Sequence, residues 1–496
     1  PFDCVCTFDE AQSAMFLAKN KPVLSGVEGF KSDFIMRHLG SRLKYSENVF
    51  KTQKESLIPE QFKFLGMKKV LILGYGKEGE VTKKYVEKYY PNLKIGIADE
   101  KKGKDYLNKI DKYDIVIKTP GIPKEKLIVK IRAPKIGARP STKISALAPG
   151  IKKELVKIPY TTATNIFFSK IIKKNLIIGV TGSKGKSTVS SLIYEILKTN
   201  GCDVVLVGNI GKPMLQELIN PIPKNRIFVL ELSSYQLDDI KFSPDIAVVT
   251  NLFPEHMNYH GSLKNYYNAK KNIISFQNKN NFFVYNPDNK EIKNWLKDYN
   301  GKSIKFSVDK LESSLLGDHN KKNIGAAVSV AKILNIKDKV IERAVKKFKG
   351  LPHRLEFVGE FKGIKFYDDA ISTTPESTIM AIKSLPDIGT IFLGGEDRGY
   401  NFLNLEKVIK SYKIKNIVLF PNSGSKILKS LQYGLGQAKG YNILNTKSME
   451  KAVEFTYKNT KKGKICLLSC ASPSYSLWKN FEEKGDKFKY FVKKYA

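Results

Sequence analysis

An α/β protein built from three successive units, each a mostly parallel sheet covered by helices, is the fold class this sequence predicts. Three observations carry the prediction. A buried apolar strand runs into a glycine-rich turn and then a helix at two separate places, near residue 74 and near residue 182. Apolar strands also alternate with helical stretches through the last third of the chain, a pattern that produces parallel sheets. Finally, 496 residues exceed one ordinary core and fit about three domains at roughly 150 residues each.

Residues 1–66 show only weak mixed periodicity, so we read them as an N-terminal extension with little part in the chemistry, with a short accessory helix pair as the alternative. Met67-Lys68-Lys69 then leads into the strand Val70-Leu71-Ile72-Leu73 and the turn Gly74-Tyr75-Gly76-Lys77-Glu78-Gly79. A helix follows, then the strand Ile95-Gly96-Ile97-Ala98 and Asp99, about 20 residues beyond the glycines. This is the Rossmann pattern, in which the glycines admit a diphosphate and the acid meets a ribose. The next strand, Ile115-Val116-Ile117, ends in Thr119-Pro120-Gly121-Ile122-Pro123, at the sheet edge where ligands sit. The first unit is therefore placed at 67–159.

The second unit, 160–349, contains the most informative stretch, Gly179-Val180-Thr181-Gly182-Ser183-Lys184-Gly185-Lys186-Ser187-Thr188. It follows Leu176-Ile177-Ile178 and precedes a helical segment, the context of a phosphate loop. Backbone N–H groups and the helix N-terminus face the phosphates, Lys186 reaches the terminal ones, and the Ser187 hydroxyl can ligate Mg²⁺. The usual spacing would place a glycine at Val180. The strand 227–230 ends in Glu231-Leu232-Ser233-Ser234-Tyr235-Gln236, which makes Glu231 the candidate Mg²⁺ carboxylate. The strand 246–249 leads through Thr250 and Asn251 to Glu255-His256-Met257 and His260; His256 is a candidate for a second Mg²⁺ or a phosphate, and His260 a loop residue. Lys270 is one lysine among many. Asp318 reads as a helix cap, while Asn320 and Asn323 divide between capping and nucleotide contact. Arg354, in Leu351-Pro352-His353-Arg354, is placed as a charge clamp for a triphosphate. The third unit, 350–496, repeats the strand and helix alternation, with strands at 390–393, 417–420 and 465–468.

A formal charge of +37 raises nucleic acid as a partner, but only 8 of the 85 basic residues are Arg and the lysines are scattered. Base readout relies on the Arg fork, so a nucleic-acid-binding NTPase is disfavoured, and a nicotinamide dehydrogenase leaves the phosphate loop unexplained. Five cysteines are too few and too irregular for a disulfide framework or a zinc site, and no apolar run is long enough to span a membrane. A cytoplasmic monomer is expected.

Seven ordered motifs resemble those of the Mur ligases of peptidoglycan synthesis: Thr181 to Ser187, Gly208-Asn209-Ile210-Gly211, Glu231 to Gln236, Glu255-His256-Met257, His319-Asn320, Leu351 to Arg354, and Lys479-Asn480-Phe481-Glu482-Glu483. The resemblance covers 67–496. It implies a Rossmann-like UDP-binding domain, a central ATPase and a Rossmann-like C-terminal domain that binds the amino acid. It implies further that Gly74, Gly76, Gly79, Thr119 and Gly121 cradle the UDP moiety, with Asp99 at the uracil and Asn209 on the muramoyl side. ATP falls to Gly182, Ser183, Lys184, Gly185, Lys186, Ser187, Thr188, Asn320, Asn323, Arg354 and Asp369. Two Mg²⁺ ions fall to Ser187 with Glu231 and to His256 with Lys270, the last if carbamoylated. Thr373, Arg398, Ser474, Tyr475 and Phe481 fall where the amino acid is held. The implied reaction joins D-glutamate to UDP-N-acetylmuramoyl-L-alanine at the cost of ATP. Ile371 and Arg398 stand where the D-glutamate enzymes often carry lysine, and this leaves addition of L-glutamate as the alternative.

Overall fold

The first sheet has the order β2-β1-β3-β6, all parallel, from Lys69–Leu73 (β1), Lys94–Ala98 (β2), Ile115–Lys118 (β3) and Tyr160–Thr162 (β6). Between β3 and β6 lies the antiparallel pair Ile128–Arg132 (β4) and Lys153–Lys157 (β5). This computed structural model describes residues 66–103, 106–108, 110–132, 153–172, 174–433 and 440–496. The extension read at 1–66 lies outside the described residues apart from Gly66. The sequence reading opens the second unit at Tyr160; the structure instead gives Tyr160–Thr162 to the first sheet, because β6 pairs with β3 (Val116 opposite Tyr160).

The second sheet is parallel with the order β12-β11-β10-β7-β9-β8: Ile177–Thr181 (β7), Val204–Gly208 (β8), Ile227–Glu231 (β9), Ile246–Val249 (β10), Phe282–Tyr285 (β11) and Lys302–Lys305 (β12). Strands β7, β9 and β10 are buried at every residue, as expected where helices cover both faces. β7 lies between β9 and β10, and the chain leaves it toward opposite sides, so the crevice at its carboxyl end is a topological switch point. The first two sheets share one core, in which Val70 and Ile117 join Phe167, Phe168, Phe228 and Phe283. The helix Ala163–Ile171 supplies Phe167 and Phe168, and its first turn is capped by the Thr162 hydroxyl.

The third sheet has the order β13-β14-β18-β15-β16-β17, from Glu356–Phe361 (β13), Ile364–Asp368 (β14), Ile388–Gly394 (β15), Asn416–Phe420 (β16), Asn442–Asn445 (β17) and Ile465–Leu468 (β18). It is parallel except at β13, an antiparallel edge strand paired to β14 through a tight turn at Lys362-Gly363. Two apolar clusters flank it, one around Ile391, Leu393 and Ile417 and one around Phe366, Phe392, Phe420 and Phe488. By packing, the chain divides into two compact units; the first ends at Asp309 and resumes over Lys322–Ala344, and the second comprises Lys310–Lys321 and Val345–Ala496. The first two sheets belong to the former and the third sheet to the latter. Among the described residues, no helix is long and apolar enough to cross a membrane.

Candidate active site

In the first unit the phosphate loop leaves β7 at Thr181 and enters the helix Lys186–Thr199 at Gly185. Gly185 has φ 84°, and a Cβ there would run into the Asn323 carboxamide, so a side chain is excluded on both counts. The buried Asn323 side chain therefore lies directly over the loop. Residues at the end of β10 brace it from the other side. Asn251 accepts from Lys184 N–H at 2.8 Å and donates to Lys184 O at 3.0 Å, while Thr250 Oγ1 donates to the same carbonyl at 2.6 Å. Ser183 gives its N–H to Asn251 O at 2.9 Å, and its hydroxyl lies 2.9 Å from both Phe253 O and Tyr266 OH. Ser183 is thus a buried brace of the loop. Lys186 folds back to donate to Ser183 O at 2.9 Å, and Lys184 pairs with Glu255 at 2.6 Å. Ser187 is half-buried and Thr188 buried in the first turn of the helix.

Glu231 sits at the end of β9, beside β7, with only 1% of its surface exposed. Its Oε1 accepts from Asn209 Nδ2 at 2.9 Å, while Oε2 is buried with no hydrogen-bond partner among the described residues. A buried carboxylate oxygen left in this state is costly unless a cation completes it, which is the condition a Mg²⁺ ligand satisfies. Asn209, matched by resemblance to the muramoyl side, here orients this carboxylate.

Lys270, in the last turn of the helix Leu263–Lys271, is 1% exposed and donates to Gly182 O at 2.8 Å, beneath the loop. Burial first, and then the nearby Lys186 charge, push its pKa well below that of an ordinary lysine. The neutral amine, the form that reacts with carbon dioxide, is thereby favoured. His256 is exposed in left-handed backbone (φ 57°) next to the loop cluster, its ring 5.0 Å from Tyr235. Partial screening of its ring from water, with the charges of Lys270, Lys186 and Lys184, lowers its pKa against the pull of Glu255. His260, read as a loop residue, ends a short helix and is buried, 3.0 Å from Ser234 Oγ. Tertiary packing of Tyr235 and Tyr266 around its ring draws it inside.

The glycine turn of the first sheet is self-contained by comparison. Gly74 donates to Ala98 O at 2.7 Å, and Gly79 lies against Gly74 O, where helix meets strand. Gly76 precedes the helix Lys77–Tyr89 and, like Gly121, has open space around it. Thr119 Oγ1 donates to Leu73 O at 3.1 Å. Asp99 accepts Tyr75 N–H on one oxygen and Lys101 N–H on the other, so it holds the turn's shape. Below it, Lys118 at the end of β3 forms a buried ion pair with Asp239 at 2.6 Å, and burial raises the nearby Glu78 carboxyl to about 7 despite the Lys118 charge.

In the second unit Asn320, in the first turn of the helix Asp318–Ile333, donates to Leu316 O at 2.8 Å. Asp318 stands inside the first turn of that helix, paired with Lys321. Asp369 is 4% exposed; its oxygens accept from Leu355 N–H at 3.1 Å and Ser469 Oγ at 2.8 Å, and burial raises its pKa to about 6. Arg354 immediately precedes Leu355, so the two residues matched to ATP share one knot of backbone. Beside it, His353 Nδ1 lies 2.7 Å from Asp368 Oδ2. Burial lowers the His353 pKa, but the hydrogen bond and charge of Asp368 prevail and the net shift is upward. Thr373 is half-buried just before the helix Pro375–Ser384. Arg398 meets Glu396 through Nε at 3.1 Å and Nη2 at 3.0 Å, with its guanidinium 5.9 Å from the exposed Tyr475 ring. Ser474 Oγ is buried without a hydrogen-bond partner among the described residues, and Phe481 opens the last helix, edge-on to His353.

Sequence reasoning passed over Thr250, Asn251, Tyr266, His353 and Asp368. The polar pair closing the 246–249 strand, next to a phosphate loop, was the available signal for the first two.

A loop of this kind at the switch point of a parallel sheet, with a strand-end carboxylate beside it and two further α/β sheets, defines an α/β phosphate-loop protein. The comparisons with known proteins narrow the class. The Mur ligase middle domain matches residues 180–312. The UDP-N-acetylmuramoylalanine--D-glutamate ligase of Clostridium tetani is 33% identical over 448 residues, covering 85% of this chain and 91% of the relative. The enzyme of the same name from Geobacillus kaustophilus is 33% identical over 402 residues, covering 76% and 82%. Among solved structures, the MurF ligase of Thermotoga maritima in complex with ADP superposes with a TM-score of 0.55 at 16% identity, over 88% of this chain and 100% of that one. The UDP-N-acetylmuramate-alanine ligase of the same organism gives 0.51 at 16% identity, over 86% and 99%. The chain belongs to the Mur ligase family.

Proposed function

We propose that this chain is an ATP-dependent ligase that joins D-glutamate to UDP-N-acetylmuramoyl-L-alanine through an acyl phosphate, in the cytoplasmic assembly of peptidoglycan precursors, and that it acts as a monomer. The observation that carries the reading is Glu231, a buried carboxylate beside the phosphate loop with one oxygen that has no hydrogen-bond partner among the described residues. The relatives, which align over most of the chain and are named for D-glutamate addition, supply the substrates and favour D- over L-glutamate.

In this reading Lys186 and the loop N–H groups hold the ATP phosphates, with Asn320, Asn323 and Asp369 as further nucleotide contacts and Arg354 as a charge on the transferring group. Ser187 and Glu231 would hold one Mg²⁺, and His256 with carbamoylated Lys270 a second. Such ions neutralise charge on the transferring phosphoryl oxygens. The depressed pKa of Lys270 supports carbamoylation, in which the amine adds carbon dioxide, releases a proton and becomes an anionic oxygen ligand. An oxygen of the substrate's terminal carboxylate attacks the γ-phosphorus, and the bond to the β,γ-bridging oxygen breaks, releasing ADP. The glutamate amine then adds to the acyl carbon and loses a proton, and the carbon–oxygen bond to phosphate breaks, leaving an amide. Lys186 and Arg354 stabilise charge that develops in the first step. Gly74, Gly76, Gly79, Thr119 and Gly121 receive the UDP end, with Asp99 acting through the turn it holds. Thr373, Arg398, Ser474, Tyr475 and Phe481 receive glutamate; the unpartnered Ser474 hydroxyl and the Arg398 guanidinium suit its carboxylates.

Phosphate release is the test, measured with Mg²⁺-ATP and UDP-N-acetylmuramoyl-L-alanine in the presence of D-glutamate, L-glutamate or neither, with the product's mass recorded. Release with a glutamyl adduct for D-glutamate alone is expected. An adduct with L-glutamate alone would overturn the stereochemistry, and no adduct with either would overturn the ligase reading.

A further inference from the structure

Arg354 is flanked by two residues in backbone that L-residues rarely adopt, His353 with φ 60° and Leu355 with φ 47°. Such conformations persist only where the surroundings over-determine them. Most of the fixing bonds converge on His353. Its N–H donates to Glu356 Oε2 at 2.8 Å, its carbonyl accepts from Ile371 N–H at 3.1 Å, and its ring Nδ1 meets Asp368 Oδ2 at 2.7 Å with both side chains buried. Leu355 N–H donates to Asp369 Oδ1 at 3.1 Å. The last helix, Phe481–Lys494, is shaped to leave the pair intact: at Gly485 a Cβ would collide with both His353 Nδ1 and Asp368 Oδ2. The result is a bond between the neighbours of the two ATP-matched residues, His353 next to Arg354 and Asp368 next to Asp369.

His353, Glu356 and Asp368 also bring three potential metal-ligand atoms within 4.8 Å of one another. Those atoms are already engaged, Nδ1 with Asp368, and Glu356 Oε2 with His353 N–H and with Lys489 Nζ at 3.1 Å. The cluster is closed on itself, as a brace is.

We propose that His353 and Asp368 form a positioning pair for the phosphoryl-transfer step: they fix the strained backbone at Arg354 and tie it to the Asp369 segment, so that the guanidinium is set before ATP reacts. The inference rests on the reading of Arg354 as the residue that meets the transferring phosphoryl group.

A double-mutant cycle tests it, with phosphate release as the rate, a displacement assay with a fluorescent ADP analogue as the measure of nucleotide affinity, and thermal melting as the check on folding. H353A is expected to lower kcat about 100-fold, the scale of a misplaced reacting group, with the nucleotide affinity nearly unchanged. H353N, whose side-chain amide can donate to Asp368 in place of Nδ1, is expected to recover most of the rate. In the R354A background H353A should cost little more, because the group it positions is gone. If H353A does not fold, D368N takes its place in the cycle; it weakens the pair without emptying the space, and its rate loss should also vanish in R354A. Equal losses in the presence and absence of Arg354 would overturn the pair's role. A wild-type rate for R354A itself would instead overturn the reading of Arg354 on which the pair depends, which separates the two failures.

Discussion

The two glycine turns of the first unit follow the same plan, a central parallel strand feeding a turn and a helix, yet they differ in what they leave unsatisfied. At residues 74–79 the turn itself is held by the protein's own groups: Asp99 accepts two backbone N–H groups and Thr119 donates to Leu73 O. At residues 182–187 the loop is braced just as firmly by Thr250, Asn251 and Ser183, but beside it lie a carboxylate oxygen with no hydrogen-bond partner among the described residues and a buried lysine pushed toward its neutral form. A protein tolerates such costs where a ligand or ion completes the site. The first turn has the character of a cradle, and the second that of a chemical centre.

Substitutions can break this contrast, and the largest effect is expected at Lys186. K186M keeps the stem and removes the charge, so phosphate release should fall by about 10³-fold with little change in melting temperature, since the Lys186 ammonium sits only partly buried on the loop. A small change in rate would remove Lys186 from the transfer step. E231Q should reduce the rate by about 10²-fold to 10³-fold, yet raise the melting temperature, because it neutralises a buried acid whose Oε2 has no hydrogen-bond partner among the described residues. A drop in both would mark Glu231 as a structural acid.

On the other turn the order reverses, with stability affected before chemistry. D99A removes the acceptor of the part-buried Tyr75 N–H and of the exposed Lys101 N–H and should cost about 1 kcal/mol of stability in denaturant titrations, while raising KM for the UDP-substrate more than it lowers kcat. A loss of kcat at unchanged KM would count against its assignment to the cradle. Glu78 gives the smallest effect and a pH signature. Its carboxyl titrates near 7 in the folded chain, raised by burial from an ordinary 4.5. Between those values the folded state holds a proton that the unfolded state has released, so stability falls as pH rises through the window and stays lower above it. E78Q should abolish that decline and gain about 1–2 kcal/mol above pH 7, a figure discounted for partial exposure. Parallel stability curves for E78Q and the parent from pH 4 to 8 would refute the shift.

The contrast also shows what the sequence could reveal. Apolar runs at 70–73, 177–178, 227–230, 246–249, 390–393, 417–420 and 465–468 read as strands and are strands, because parallel strands buried on both faces must be apolar almost throughout. The edge strand β13 is half-exposed, carries no such run, and is paired through contacts with β14 that composition does not encode. Lys186, Ser187 and Glu231 were legible because motif and strand end coincide there. Lys270 was not legible from its own residue pattern: among so many lysines the resemblance alone marked it, and its burial and its position under Gly182 are visible only in the fold. His353 and Asp368 were illegible for a related reason, since the bond that gives them meaning joins separate segments and depends on the missing side chain at Gly485.

The most direct test of the central claim, that ATP activates the substrate's carboxylate as an acyl phosphate, is an oxygen-18 transfer experiment. UDP-N-acetylmuramoyl-L-alanine labelled in both oxygens of its terminal carboxylate is turned over with ATP and D-glutamate, and the released phosphate is weighed by mass spectrometry. The account predicts that each phosphate carries one labelled oxygen and the amide product retains the other. Unlabelled phosphate would contradict it, because the γ-phosphoryl group would then have gone to water.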